Sequence, residues 1–193
     1  MRDLEKRIGD SIDDSLKAVE SLREQTETLI AITELAVSVI NDGKTIYFIG
    51  NGGSAADAQH AAAELVGRLG MGLERKPLPA VALTTDTSVI TALANDYGFD
   101  DIFSRQLSAV GKSGDLLVAI STSGKSTNII KAAEIARGKQ MYTVALTGAC
   151  ESPLSKFACY TIKVDGPNTP RIQEGHRTAL HIICELIEIS LVE

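Results

Sequence analysis

A chain of 193 residues, 44% hydrophobic and 23% charged, has the composition of one soluble globular domain. At that size a chain buries about 70% of its unfolded surface and needs no covalent staples. A net charge of −6, 4% aromatic residues and no Trp argue against nucleic-acid binding, which calls for a basic surface or stacking rings.

The N-terminal MRDLEKRIGDSIDDSL is charged throughout and lacks the apolar core of a secretory signal. No apolar run approaches the ~18 residues of a membrane span. A cytoplasmic protein without a membrane partner is therefore expected. Cys150, Cys159 and Cys184 show no metal-type spacing and are expected to be buried, reduced thiols.

Residues 3–42 carry helical periodicity twice. Leu4, Ile8, Ile12 and Leu16 recur every four residues, and Leu29, Ile30, Ile32, Leu35, Ala36, Val39 and Ile40 follow. The intervening SLREQTET contains no strong breaker, which allows one bent helix or two. The apolar stripe ahead of the first strand needs a cover. A second copy of the chain is the preferred expectation, and packing on its own domain is the alternative. Gly43 is placed to end this segment as a C-cap.

The run 45-TIYFIG-50 reads as a buried strand, followed by a helix over 54–68. Strands are then expected at 80–85, 116–122, 142–148 and 159–164, and helices at 86–95, 126–138, 153–158 and 170–193, with Pro170 at the start of the last. Strands alternating with helices at this spacing make right-handed βαβ units. The expected fold is α/β, a three-layer αβα sandwich on a parallel five-stranded sheet with N-terminal helices added. Residues 1–193 are read as one domain, with 1–42 serving oligomerisation.

In such sheets ligands gather beyond the carboxyl ends of the strands, where 50-GNGGS-54, 121-STSGKS-126 and 147-TGAC-150 lie. Glycines let the backbone approach an anion, and helix N-terminal amides point at it. Gly50, Gly52 and Ala55 fit a loose dinucleotide fingerprint. The acid that should end the next strand is Asp86, too far along the chain. The second loop is no Walker motif, because Ala119 stands where its first glycine belongs. The hydroxyls of Ser121, Thr122, Ser123 and Ser126 remain, suited either to capping a helix or to holding a phosphate monoester.

His60 and Glu64 stand four apart on one helix face, a spacing most often found in plain surface pairs. Gln173 and His181 lie on roughly one side of the last helix. If the two helices meet, these four groups form a plausible site for Zn²⁺ or an acid/base pair. Spacing alone leaves packing or surface roles open for all of them.

With these residues in view, the chain resembles the SIS (sugar isomerase) domain family, and within it the bacterial phosphoheptose isomerases. The resemblance rests on GNGGSAADAQHAAAEL with the following GR, 95-NDYGFDDIFSRQL-107, 114-GDLLVAISTSGKS-126, ALTG, and RIQEGH with His181 beyond it. It implies a homotetramer with sites at subunit interfaces and a sugar-phosphate substrate, sedoheptulose 7-phosphate. The implied reaction passes through an enediol(ate) to the aldose, D-glycero-D-manno-heptose 7-phosphate, as the first step of ADP-heptose synthesis for glycans such as lipopolysaccharide. Asn51, Gly52, Gly53 and Ser54 would bind the sugar end, and Ser121, Thr122, Ser123 and Ser126 the phosphate. Glu64, Arg68, Asn95, Asp96 and Gln173 would also line the substrate pocket. Glu64 and His181 would move the proton, and His60, Glu64, Gln173 and His181 would bind one Zn²⁺ per subunit. Lys125 departs from the Asn these isomerases often carry. A related adaptor that binds the DnaA replication initiator is the alternative; there the catalytic Glu and second His are typically replaced, and here both are present.

Overall fold

The computed structural model describes residues 2–69 and 74–192. Helix α1 (Arg2–Glu20) runs through a 3-10 turn (Ser21–Gln25) into α2 (Thr26–Asn41). The N-terminal segment is thus two helices joined without a loop. Strand β1 (Ile46–Gly50) and helix α3 (Gly53–Val66) come next, then β2 (Ala80–Ala82), α4 (Thr87–Asp96) and α5 (Ile102–Val110). The chain continues through β3 (Leu116–Ile120), α6 (Thr127–Gly138), β4 (Tyr142–Gly148), β5 (Tyr160–Val164) and α7 (Thr169–Val192).

All strands are parallel, in the order β2-β1-β3-β4-β5. The central strands are buried on both faces, which is why they read as unbroken apolar runs rather than alternating ones. Alternation appears instead in which core each residue joins. Ile46, Phe48, Leu116, Val118 and Ile120 face α2, α3 and α7, while Tyr47, Ile49, Leu117 and Ala119 face α5 and α6. The result is the expected three-layer arrangement on five strands.

The expected helix at 153–158 is only a 3-10 turn (Leu154–Phe157), and two further elements and the cysteines differ from expectation. Strand β2 is three residues long rather than six. It is an edge strand paired only with β1, and the chain turns away where Thr85 Oγ1 donates to the Ala82 carbonyl at 3.1 Å. Helix α5 is additional. Its buried Ile102, Phe103 and Leu107 occupy nine residues, too few for helical periodicity to stand out. Of the cysteines only Cys184 is buried, whereas Cys150 and Cys159 are exposed free thiols. Cys150 lies just after β4 and Cys159 just before β5, where the chain is at the surface. Among the described residues no helix is long and apolar enough to cross a membrane.

Candidate active site

The strand order places a switch between β1 and β3: the chain leaves β1 to one side and returns on the other. Crevices of doubly wound sheets open at that point. The loops following these two strands are GNGGS and STSGKS. Between them lies a cleft of about 340 Å³ lined by Asn51, Gly52, Gly53, Ser54, Ser121, Thr122, Ser126, Thr169 and Gln173.

The cleft walls are fixed by side-chain bonds that cross it. Asn51 Nδ2 donates to Asn128 Oδ1 at 2.9 Å and Asn128 Nδ2 returns a bond to Asn51 Oδ1 at 2.8 Å. Asn128, in the first turn of α6, is buried. This reciprocal amide pair ties the first loop to the helix behind the second, and sequence reading did not single out Asn128. An Asn at the start of a helix that follows a hydroxyl-rich turn was the available signal.

Ser126 precedes α6, yet its hydroxyl caps none of that helix's amides. It stands 3.1 Å from Ser121 Oγ, inside the cleft. The first amides of α6 have no intrahelical acceptors, so hydroxyls and amides together face the space between the loops. Gly124 turns the loop with φ +60°, and a Cβ there would collide with Ser152. Ser123 is exposed and its Oγ accepts the Lys125 amide N–H at 3.2 Å, a bond that shapes the turn. Lys125 is exposed on the rim.

Gln173 projects from the first turns of α7 onto Gly53. A Cβ at position 53 would lie 2.6 Å from Gln173 Oε1, so only glycine leaves the amide where it is.

Further along the same two helices, His60 and His181 meet. Their Nε2 atoms are 2.6 Å apart, their rings are edge to face, and His60 Nε2 lies 3.5 Å from Glu64 Oε1. At that separation one imidazole donates to the other, and which ring carries the proton follows from the tautomer. The cluster is part-exposed, with Glu64 and His60 side chains 20% and 40% accessible.

Two imidazoles and a carboxylate suit Zn²⁺ chemically. A tetrahedral ion with ~2.0–2.1 Å bonds holds its nitrogens about 3.3 Å apart, so the rings would open by about 0.7 Å to admit it. Among the described residues no group of three or more His, Cys, Asp or Glu side chains stands in ready metal-holding geometry. The donor set fits and the spacing is that of a hydrogen-bonded pair.

Not every expected residue joins the cluster. Gln173 and His181 are eight residues apart, which on a helix means about 12 Å of rise and about 80° of rotation. Within this chain the Gln173 amide therefore belongs to the cleft rather than to the histidines. Arg68 is exposed with Nη1 3.4 Å from Glu74 Oε2, and Asn95 and Asp96 are exposed and bonded to each other at 2.7 Å. None of the three lines this cleft. The remaining histidine, His176, is fully buried with Nε2 3.0 Å from the Thr147 carbonyl and Nδ1 unpartnered among the described residues. Burial pushes its pKa down, against the opposing pull of the Thr147 bond and the Asp57 charge.

Known proteins share this fold. Residues 10–148 match the SIS domain. The chain is 46% identical over 187 residues to the phosphoheptose isomerase of Geotalea daltonii, covering 96% of both chains. It is 47% identical to that of Aneurinibacillus thermoaerophilus, covering 95% of this chain and 93% of the relative. Among solved structures, the phosphoheptose isomerase of Neisseria gonorrhoeae superposes with a TM-score of 0.89 at 40% identity, covering 96% of this chain and 99% of the other. That of Francisella tularensis gives 0.91 at 35% identity, covering 98% and 100%. The family match and these full-length relatives place the chain in one group: it belongs to the SIS domain family.

Proposed function

We propose that the chain is an aldose–ketose isomerase that converts sedoheptulose 7-phosphate to D-glycero-D-manno-heptose 7-phosphate, the step that opens ADP-heptose synthesis. The observation that carries this reading is the meeting of His60, Glu64 and His181 along the helix that leaves a hydroxyl-lined cleft. Full-length relatives that are phosphoheptose isomerases support it. Glu64 and His181, whose replacement would favour the adaptor alternative, both stand in the cluster.

The chemistry follows from the groups. Ser121, Thr122 and Ser126, with the amides opening α6, hold the phosphate. Asn51, oriented by Asn128, together with Gly52, Gly53, Ser54 and Gln173, holds the open-chain sugar. From Ser54 to His60 the helix advances about 9 Å, so a phosphate gripped at one end and a carbonyl presented at the other call for an extended substrate. The Glu64 carboxylate takes a proton from the carbon beside the carbonyl. His181, facing it, returns a proton as the enediol(ate) collapses to the aldose. Each positioned acid or base contributes about 10²–10⁴-fold.

His60, Glu64, Gln173 and His181 are the proposed ligands of a Zn²⁺ ion, although within this chain Gln173 lies on Gly53, apart from the other three. Such an ion would supply positive charge beside the developing oxyanion.

The assembly is proposed to be a homotetramer. On α1, Leu4, Ile8, Ile12 and Leu16 are 55–63% exposed along one stripe, an apolar face that requires a cover. Helix α4 buries none of its residues. Arg68, Asn95 and Asp96, outside the cleft of their own chain, would reach a substrate across an interface. A cytoplasmic setting agrees with a phosphorylated substrate.

The test is direct. Purified protein is incubated with sedoheptulose 7-phosphate, with and without chelator, and the aldose is followed by NMR. Conversion is expected, and its loss on chelation would support the metal. Absence of conversion with metal supplied would refute the reading.

A further inference from the structure

The proposed proton-transfer cluster is split between two helices, α3 with His60 and Glu64 and α7 with His181. Arg75, in the segment between α3 and β2, lies where both can be held at once, and its side chain is only 4% exposed. Its Nε donates to Glu188 Oε1 at 3.0 Å, Nη1 to the carbonyls of Leu65 at 2.9 Å and Lys76 at 3.1 Å, and Nη2 to the carbonyl of Glu64 itself at 2.8 Å.

Three of these four bonds have a structural reason. Helix α3 ends at Val66, so the carbonyls of Glu64 and Leu65 have no amide four residues on within the helix. A guanidinium there also meets the negative end of the helix dipole. Glu188 is fully buried on α7, seven residues beyond His181, hence two turns along and on the same face. Its Oε2 has no hydrogen-bond partner among the described residues.

A buried ion pair is a poor means of stabilisation. The desolvation of both charges offsets their attraction, and an apolar pair of similar volume is often as stable. An unpartnered carboxylate oxygen adds to the cost. The pair does supply direction, because a planar fork with fixed donors holds the backbone of Glu64 at a set distance and rotation from α7.

We propose that Arg75 and Glu188 are positioning residues that set Glu64 against His181 across the α3–α7 seam. The proposal rests on the reading of Glu64 and His181 as the proton carriers. Misplacement of a reacting group by about 1 Å can cost about 10²-fold in rate. The substrate's phosphate, held by the distant loops, should not notice.

Two variants test it. Glu188→Asp keeps the charge but shortens the reach by one methylene. Arg75→Met/Glu188→Leu removes both charges at similar volume. The protein is studied as its full assembly, with folded fraction from circular dichroism, kcat and KM per folded protomer, and the imidazole NMR signals of His60 and His181. The expected result for the double variant is a cooperative fold with kcat down about 10–100-fold, KM within about twofold, and shifted imidazole signals. Glu188→Asp should show the same split.

Wild-type kcat per folded protomer in the double variant would overturn the proposal. So would loss of the fold in both variants, since the pair would then be stabilising rather than positioning. The imidazole signals separate this proposal from the reading beneath it. If Glu64→Gln retained turnover, the catalytic assignment would fall, while unshifted signals in the clamp variants would sink the clamp alone.

Discussion

Replacing Gly53 by Ala isolates the role of Gln173 with a single methyl group. The new Cβ would stand 2.6 Å from Gln173 Oε1, 2.7 Å from Nε2 and 2.8 Å from Cδ, against 3.4 Å for ordinary contact. The amide must therefore retreat by about 0.8 Å, the difference between 3.4 and 2.6 Å. It is the far end of a flexible side chain, so the retreat costs little stability. Gly53 opens α3 without a left-handed backbone, and Ala is the better helix former by up to about 1 kcal/mol. The midpoint of thermal unfolding should then be unchanged or slightly raised. Displacement of this proposed substrate-binding group by most of an ångström should lower kcat/KM by about 10–100-fold. Because the effect acts through one side chain, Gly53→Ala/Gln173→Ala should be no worse than Gln173→Ala alone, a non-additivity read from a double-mutant cycle. Wild-type kcat/KM in Gly53→Ala, or full additivity in the cycle, would refute the reasoning.

Other expectations follow from particular bonds. Ser126→Ala removes a hydroxyl that faces the cleft instead of capping α6, so KM for the phosphorylated sugar should rise with little change in thermal stability. Asn128→Ala leaves Asn51 without its reciprocal partner, which should cost about 1–3 kcal/mol in denaturant unfolding and raise KM as well. His176 is held below its usual pKa by burial, so the unfolded chain binds a proton more readily than the folded one. Stability at this site is therefore complete above the ordinary pKa of about 6.5 and falls as pH drops below it, by at most about 1.4 kcal/mol per pH unit. Chemical unfolding of His176→Gln and wild type between pH 7 and 5 should show a smaller slope in the variant. The Cys184 thiol, pushed up to about 12 chiefly by burial, should resist alkylation in the native protein while Cys150 and Cys159 react. Three labelled thiols in the native state at equal rates would contradict this.

The layered fold was readable because its signals are local. Runs such as TIYFIG and LLVAIS are buried on both faces, and each is punctuated by a glycine or hydroxyl turn. The two loops could be singled out as candidate anion cradles from their residue types, and the strand order brings them together. His60, Glu64 and His181 were nameable as candidates, but nothing local distinguishes them from a surface pair. It is the parallel packing of α3 on α7 that makes the cluster. Gln173 stands eight residues before His181, two turns that still leave about 80° of rotation, so within this chain it lies in the cleft and not beside His181. The partners hardest to read are those joined only by tertiary structure. Asn51 and Asn128 are 77 residues apart, and Arg75 and Glu188 are 113 apart. Helix α5 escaped because a nine-residue helix buries too few positions to show a period.

The central claim is that Glu64 carries the proton in a sugar-phosphate isomerisation. It is tested most directly by comparing wild type with Glu64→Gln on sedoheptulose 7-phosphate in deuterated water, following the aldose and the label at its C2 by NMR. The variant should fold and bind the substrate, yet form product about 10²–10⁴-fold more slowly. Turnover of the variant within a factor of two of wild type would contradict the assignment.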